Sequence, residues 1–80
     1  MDKELIYKNL KNLRKKNLMT QQDVANILGV TKQAYSNYES GKRSITLKFL
    51  LQISDYYQIT IDQLVKTPIE SYSKIGKVNS

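Results

Sequence analysis

The sequence predicts an all-α domain of five short helices. Two observations predict this class: apolar residues recur at helical spacing in successive segments, and threonines stand where four helices would begin. No segment favours a strand. Eighty residues suit one domain, and 40% hydrophobic with 25% charged residues is ordinary for a globular protein.

The first helix is expected over residues 3–16. Ile6, Leu10 and Leu13 recur at i, i+4 and i+7, with lysines and asparagines between them, so one apolar stripe faces the core. Helices often end at a residue in the left-handed backbone conformation, which asparagine tolerates. We therefore expect Asn17 to end this helix.

Threonine and glycine delimit the second and third helices. Thr20 is expected to begin the second, because its hydroxyl can accept a hydrogen bond from a free amide and Asp23 suits the positive helix end. Gly29 stops that helix. Thr31 begins a third helix that extends to about residue 39, and Gly41 ends it.

The fourth and fifth helices also begin at threonines. The fourth is expected from Thr46 to about Tyr57, and the fifth from Thr60, which forms a capping box with Gln63. Pro68 prevents much continuation, because the residue before a proline is pushed out of helical geometry.

The chain therefore divides into a domain, residues 1–66, and a tail, residues 67–80. The tail has no clear periodicity, and we expect it to be partly disordered or to contact a partner or a second copy. Its apolar residues that could fold on a protein partner are Ile69, Tyr72, Ile75 and Val78.

One core is expected to form from the inward positions of all five helices. Its predicted members are Ile6, Leu10, Leu13, Val24, Ala25, Leu28, Val30, Ala34, Tyr38, Leu47, Leu50, Ser54, Tyr57, Ile61 and Leu64.

The fourth helix carries a second apolar stripe, Phe49, Ile53 and Tyr56, at i, i+4 and i+7. Its first stripe already suffices to face the core, and a small domain seldom leaves a Phe and an Ile exposed in one row. We therefore predict that the second stripe makes a two-fold interface between copies. The alternative is that the first or fifth helix covers it within one copy.

Missing residue types exclude several functions. The chain has no cysteine and no histidine, so it has no disulfide, no thiolate metal site and none of the commonest general bases or metal ligands. Its acidic residues are more simply interpreted as caps, pairs and surface charges. We expect no enzymatic activity, no cofactor and no metal.

The charge indicates a nucleic acid or an anionic surface as partner, and the apolar pattern argues against a membrane. The net charge is +6 with a pI near 9.6, which is typical of proteins that bind nucleic acid or anionic surfaces. The longest apolar run has three residues and the N-terminus lacks a signal peptide, so we expect a cytoplasmic protein with no membrane partner. The first helix has too narrow a stripe, without Trp or Phe, for a membrane surface. RNA binding would call for exposed aromatics on a platform, which the sequence does not indicate.

The segment TQQDVANILGVTKQAYSNYESGK, residues 20–42, indicates two helices joined by a short turn. Ala25 supplies the small residue that a close helix crossing needs, and Gly29 supplies the positive φ that the turn needs. The second of these helices presents several amides and hydroxyls on one face. That face is either solvated surface or a surface that hydrogen-bonds a ligand.

Three segments lie within residues 5–65: LRKKNLMTQQDVA, GVTKQAYSNYESGKR and ITIDQLV. Together they resemble the lambda-type repressor and Cro group, the XRE-like helix-turn-helix family. The resemblance implies a five-helix, lambda-repressor-like domain that binds double-stranded DNA as a homodimer on a two-fold symmetric operator and represses transcription. It also implies a partly buried, bidentate pair between Arg14 and Glu39; the alternative is that Arg14 contacts a phosphate. The implied base contacts are Thr31, Lys32, Gln33, Ser36 and Asn37, and the implied phosphate contacts are Gln21, Tyr35, Lys42 and Arg43.

The chemistry of these side chains agrees with the resemblance. The Gln33 amide can bond adenine N6 and N7 together, and the Lys32 ammonium can reach guanine O6 and N7. Gln21 lies in the first turn of the second helix, where free amides attract a phosphate. An antitoxin whose tail binds a toxin is the alternative to a plain repressor.

Three positions depart from the family pattern. Leu18 stands where glycine is common, which moves the expected left-handed residue to Asn17. Tyr35 stands where Ile or Val is common, so its hydroxyl is expected to reach solvent or a phosphate. The segment RSIT, residues 43–46, lacks the usual proline.

Overall fold

A computed structural model describes residues 2–71 of the chain. Within this range all regular structure is helical, and the five helices follow the order that the sequence predicts. They are α1 (Lys3–Lys16), α2 (Gln21–Leu28), α3 (Lys32–Glu39), α4 (Leu47–Tyr57) and α5 (Ile61–Lys66).

A side chain caps the start of every one of these helices. The hydroxyls of Thr20, Thr31, Thr46 and Thr60 each accept a hydrogen bond from the backbone amide three residues later. Thr60 forms the predicted capping box with Gln63, and Thr20 forms one with Asp23 as well. The Asp2 carboxylate caps α1 in the same way, by accepting from the Leu5 amide, and this cap was not predicted from the sequence. Each cap stabilises its helix by about 1 kcal/mol, so the caps fix where the helices begin.

The turn after α1 corrects one prediction. Asn17 keeps φ −95° and ψ 10°, and Leu18 instead takes the left-handed conformation with φ 57°. The Met19 amide donates to the Arg14 carbonyl at 3.0 Å and the Leu18 amide donates to the Lys15 carbonyl at 3.0 Å. This bond pattern is a Schellman motif, and it requires the left-handed residue at position 18. The helix therefore ends at Asn17 as predicted, but the left-handed conformation predicted for Asn17 lies one residue later, at Leu18.

Among residues 2–71, the core contains eleven buried apolar residues and lies between all five helices. Eight of the predicted members are fully buried, whereas Leu47 is 65% exposed and was wrongly placed. The other six predicted core members are partly buried: Leu28, Val30, Ala34, Ser54, Tyr57 and Ile61.

The second stripe of α4 belongs to the core, which corrects the predicted dimer interface. Phe49 is 3% exposed and Ile53 is 0% exposed. The Phe49 ring stacks on Tyr38 with ring centres 3.9 Å apart. Of the three predicted interface residues only Tyr56 is exposed. The prediction for Phe49 and Ile53 is wrong, because neighbouring helices of the same copy already cover that side of α4.

The segment after α5 is attached to α1 through Asn9. This buried side chain donates from Nδ2 to the carbonyls of Leu64 at 2.7 Å and Thr67 at 2.9 Å. Its Oδ1 accepts from the Ile69 amide at 2.8 Å. Asn12 adds a bond from its Nδ2 to the Ile69 carbonyl at 2.9 Å. The boundary expected at residue 66 therefore falls inside a segment that packs on α1.

The predicted partner-binding residues Tyr72, Ile75 and Val78 lie outside the described residues. Within residues 2–71, none of the helices has the length and apolar character that crossing a bilayer requires. The same part of the chain holds no group of acidic side chains placed to bind a metal ion.

Candidate nucleic-acid interface

The turn between α2 and α3 has the geometry that the sequence predicts. Gly29 takes φ 72° and ψ 32°, and the Val30 amide donates to the Ala25 carbonyl at 3.0 Å. A Cβ at position 29 would meet no atom within 4 Å. Glycine is therefore selected here by the positive φ and not by space. Ala25 is fully buried at the helix crossing, as its small size allows.

Helix α3 turns its aromatic residues inward and its amides outward. Tyr35 is 0% exposed and Tyr38 is 8% exposed, so together they hold the helix on the core. The outward side carries all five predicted base-contacting residues. Three of these are exposed and two are half-buried: Thr31, Lys32 and Gln33, then Ser36 and Asn37.

Two of the outward amides are hydrogen-bonded to each other. Gln33 donates from Nε2 to the Oδ1 of Asn37 at 3.0 Å. The backbone carbonyl of Asn37 accepts from the Arg43 amide at 3.1 Å and from the Ser40 hydroxyl at 3.4 Å. Asn37 is therefore held at the point where α3 passes into the following turn.

Arg14 and Glu39 form the predicted bidentate pair. The Arg14 Nε lies 2.7 Å from Glu39 Oε2, and its second terminal nitrogen lies 3.1 Å from Oε1. The side chains are 12% and 5% exposed. Arg14 also donates to the Met19 carbonyl at 3.1 Å. The pair therefore joins the end of α1 and the following turn to the end of α3.

The electrostatics of this pair favour the charged forms. Burial by itself would raise the pKa of the Glu39 carboxyl, but hydrogen bonds from its neighbours, with Arg14 the strongest, hold that pKa below its ordinary value. The pKa of Arg14 is raised, chiefly by its hydrogen bond to Glu39. Both groups remain ionised at neutral pH.

Gln21 also binds this pair. Its Nε2 donates to Glu39 Oε1 at 3.3 Å, and its side chain is only half-buried. Gln21, which was predicted to contact a phosphate, is therefore the first residue of α2, and its side chain is directed at Glu39. The backbone amides of the first turn of α2 keep the partial positive charge of a helix start.

The buried position of Tyr35 contradicts the prediction that its hydroxyl contacts solvent or a phosphate. The residue is fully buried, and its hydroxyl finds no hydrogen-bond partner among the described residues. Burial raises the pKa of this phenol, and the neighbouring Glu39 carboxylate adds to the shift. The ring fills the interior where an aliphatic side chain would be shorter, so Tyr35 is a core residue and cannot contact DNA.

The basic turn after α3 is held by aromatic residues. The guanidinium carbon of Arg43 lies 5.3 Å from the centre of the Tyr38 ring, within the range of a cation–π contact. Gly41 has φ 80°, and a Cβ there would lie 2.7 Å from a ring carbon of Tyr7. Lys42 and Arg43 are both exposed. The turn therefore presents two cations from a defined backbone.

A small cleft lies where α1, the start of α2 and α3 meet. Its volume is about 190 Å³, and Lys11 lines it together with Gln21 and Ser36. Lys11 is not among the site residues that the sequence predicts. Its only signal in the sequence is its place among the lysines of the first helix, and spacing along one helix cannot show that Lys11 lies beside α2.

Two helices joined by a glycine turn, with the second helix presenting a polar face beside exposed cations, define a helix-turn-helix DNA-binding domain. A helix-turn-helix family model matches residues 10–64. The chain belongs to this family, of the XRE type.

Related proteins include bacterial and phage regulators. Over 58 residues, which cover 72% of this chain and 50% of the relative, the chain is 43% identical to the HTH-type transcriptional regulator YqaE of Bacillus subtilis. Identity to the cryptic phage CTXphi transcriptional repressor RstR of Vibrio cholerae is 37% over 59 residues, covering 74% of this chain and 53% of the repressor.

The antitoxin PezA of Streptococcus pneumoniae is 29% identical over 79 residues, covering 92% of this chain and 50% of the antitoxin. This chain thus spans about half the length of each of these three relatives. No solved structure matches it.

Proposed function

We propose that this chain is a sequence-specific transcriptional repressor that binds double-stranded DNA. It would act as a homodimer on a two-fold symmetric operator and place α3 in the major groove. The observation that carries the proposal is the outward row of exposed Lys32, exposed Gln33 and half-buried Asn37, on a helix whose opposite side is buried. Such a helix has the width that the major groove admits.

Base contacts would come from the outward side of α3. Gln33 offers an acceptor and a donor for adenine, and Lys32 offers a donor for guanine. Thr31 already accepts the Ala34 amide at 3.1 Å, which leaves its hydroxyl proton for a base or a phosphate. Ser36 and Asn37 complete the proposed set of base contacts.

Phosphate contacts would flank α3 on both sides. Lys42 and Arg43 follow it, and the first turn of α2 precedes it with Gln21 and free backbone amides. Lys11 stands beside that turn in the cleft shared with Gln21, so we add it to the proposed phosphate contacts. Tyr35 is removed from them because it is buried.

The dimer would use a different surface of α4 from the one that the sequence predicted. Leu47 is 65% exposed and Leu51 is 51% exposed, one turn apart on the same side of the helix. Tyr56, five residues after Leu51, faces another direction, and its hydroxyl reaches the Met19 sulfur at 3.9 Å. We therefore propose Leu47 and Leu51 as the contact between copies.

Sedimentation of Leu51→Lys tests this contact. Because the side chain is half exposed, the variant should keep its melting temperature while losing the dimer and binding the operator more weakly. Thr67→Lys, at another exposed position, is the matched control and should stay dimeric. A Leu51→Lys protein that sediments like the parent would contradict the proposed contact.

Selection of bound sequences from random duplex DNA tests the proposed function itself. The enriched site should be two-fold symmetric, with half-sites about one helical turn apart. A pool that shows no enrichment would contradict sequence-specific binding. An enriched site without symmetry would contradict the dimeric arrangement alone.

An antitoxin is the second candidate function. The match to PezA covers 92% of this chain, more than the 72% covered by the match to YqaE. In this alternative the tail, residues 67–80, would bind a toxin. Ile69, a residue of this tail, packs against the core. This packing argues against a free toxin-binding segment at residue 69. Co-expression with the product of the adjacent gene tests this function: relief of growth arrest and co-purification would support it, and neither would occur for a plain repressor.

A further inference from the structure

The hydrogen bond between Gln33 and Asn37 assigns these two residues different roles. We propose that Asn37 is a positioning residue that orients the Gln33 amide toward adenine and against guanine, so that both side chains determine one base pair. This inference rests on the proposed function, in which α3 lies in the major groove. It replaces the expectation that Asn37 contacts its own base.

The donor and acceptor pattern of the pair matches adenine. Gln33 Nε2 carries two hydrogens, and one of them is donated to Asn37 Oδ1 at 3.0 Å. The other hydrogen and the Oε1 acceptor remain available on the same amide edge. Adenine presents an acceptor at N7 and a donor at N6 in the major groove, so it satisfies both.

Guanine does not satisfy the same arrangement. It presents two acceptors, N7 and O6. The Gln33 amide could meet both only by giving both Nε2 hydrogens to the base, which would break its bond to Asn37. The bond to Asn37 therefore acts against guanine as well as for adenine, and its removal should reduce the preference between the two purines.

Asn37 is suited to this role because it is held in place. It is half-buried, and its backbone carbonyl accepts from Arg43 and Ser40. Gln33, by contrast, is exposed and has a longer side chain with more rotamers to lose on binding. A bond to a fixed neighbour reduces the entropy that Gln33 loses when it contacts a base.

Helix α2 offers a matched control. Gln22 donates from Nε2 to Asn26 Oδ1 at 2.9 Å, with the same two residue types and the same spacing of four, although Asn26 is exposed where Asn37 is half-buried. Neither residue belongs to the proposed DNA contacts. Asn26→Ala therefore removes an equivalent surface bond without touching the helix that enters the groove.

The experiment measures equilibrium binding to the selected site and to its adenine-to-guanine change at the base pair that Gln33→Ala relaxes. Asn37→Ala should lower the adenine-to-guanine binding ratio by about 2- to 10-fold, the effect of one neutral hydrogen bond. The double variant should show the same ratio as Gln33→Ala alone. Asn26→Ala should leave the ratio unchanged. Thermal melting checks that each variant is folded.

Asn37→Asp separates positioning from affinity. The aspartate keeps an acceptor for Gln33, so the ratio should be retained. Its negative charge beside the phosphates should weaken binding to every sequence alike. A retained adenine-to-guanine binding ratio together with weaker binding to every sequence is not expected if Asn37 contacts a base through its own Nδ2.

Three results would overturn the inference. Asn37→Ala could relax a different base pair, with effects that add to those of Gln33→Ala, which would make Asn37 an independent base contact. It could behave like Asn26→Ala, which would make the pair ordinary surface. Gln33→Ala could leave all base preferences of a sequence-specific wild-type protein unchanged, which would overturn the inference while leaving sequence-specific DNA binding by the wild-type protein standing. Loss of the proposed function has its own signature, because the wild-type protein would then enrich no sequence at all.

Discussion

Replacement of Glu39 by alanine should strongly destabilise the domain. The Glu39 side chain is 5% exposed and forms both arms of the pair with Arg14, whose side chain is 12% exposed. Removing one partner of a buried pair typically costs about 3–5 kcal/mol, because the other charge stays buried without compensation. Arg14 would keep its bond to the Met19 carbonyl, so we expect about 3 kcal/mol, the lower end of that range.

Urea unfolding followed by circular dichroism measures this loss. The midpoint should fall while the slope stays unchanged, since the surface exposed on unfolding hardly changes. Asp62→Ala is the control, because its pair with Lys66 spans 3.6 Å and both side chains are more than 70% exposed. An exposed pair contributes about 0–1 kcal/mol. A Glu39→Ala protein as stable as Asp62→Ala would refute the importance of the buried pair.

The same pair predicts the response to acid. The folded-state pKa of Glu39 lies below its unfolded value, so its stabilising contribution is fully present at pH values above that unfolded pKa. It is lost as the pH falls through the lower folded pKa. Glu39→Gln cannot ionise, so its stability should depend less on pH in that window. Parallel pH profiles for parent and variant would contradict the assignment.

Three further predictions concern the turn after α1, the buried amide and the basic turn. Leu18→Gly should stabilise the domain by about 0.5–1 kcal/mol, because glycine adopts positive φ without strain and the lost side chain is 93% exposed; Leu18→Ala, which keeps the strain, should show no such gain in melting temperature. Asn9→Ala should cost about 2–3 kcal/mol in urea unfolding, because three backbone groups lose their partner; the singly bonded Asn12→Ala should cost less, and equal losses would contradict this. Arg43→Ala should weaken all DNA sequences alike and lower the salt slope by about 1 per half-site; a changed base preference would show that it contacts a base instead.

Local signals in the sequence were enough to predict most of the fold. Thr20, Thr31, Thr46 and Thr60 define helix starts through bonds that span only three residues, so no tertiary information was needed. Gly29 likewise marks a conformation that few other residues adopt. The outward side of α3 was predictable because a helix with aromatic residues on one side must present its amides on the other.

The errors arose where the outcome depends on packing between distant segments. In α4 the apolar residues cover such a wide arc that periodicity cannot decide whether Leu47 or Phe49 faces the core. Phe49 is inward because Tyr38 supplies a ring for it to stack on. The Tyr35 hydroxyl was predicted to reach solvent or a phosphate, because burial of a hydroxyl without a hydrogen bond costs free energy. In the structure the whole ring is buried beside Glu39.

Binding of Gln33→Ala to the selected operator and to its single-base variants tests the central claim, that α3 reads the bases of the major groove. The claim predicts a loss of about 1–3 kcal/mol and a relaxed preference at one base pair in each half-site. The melting temperature should stay that of the parent, because the Gln33 side chain is exposed. If Gln33→Ala binds with unchanged base preferences, the polar side of α3 does not determine the sequence that the protein recognises.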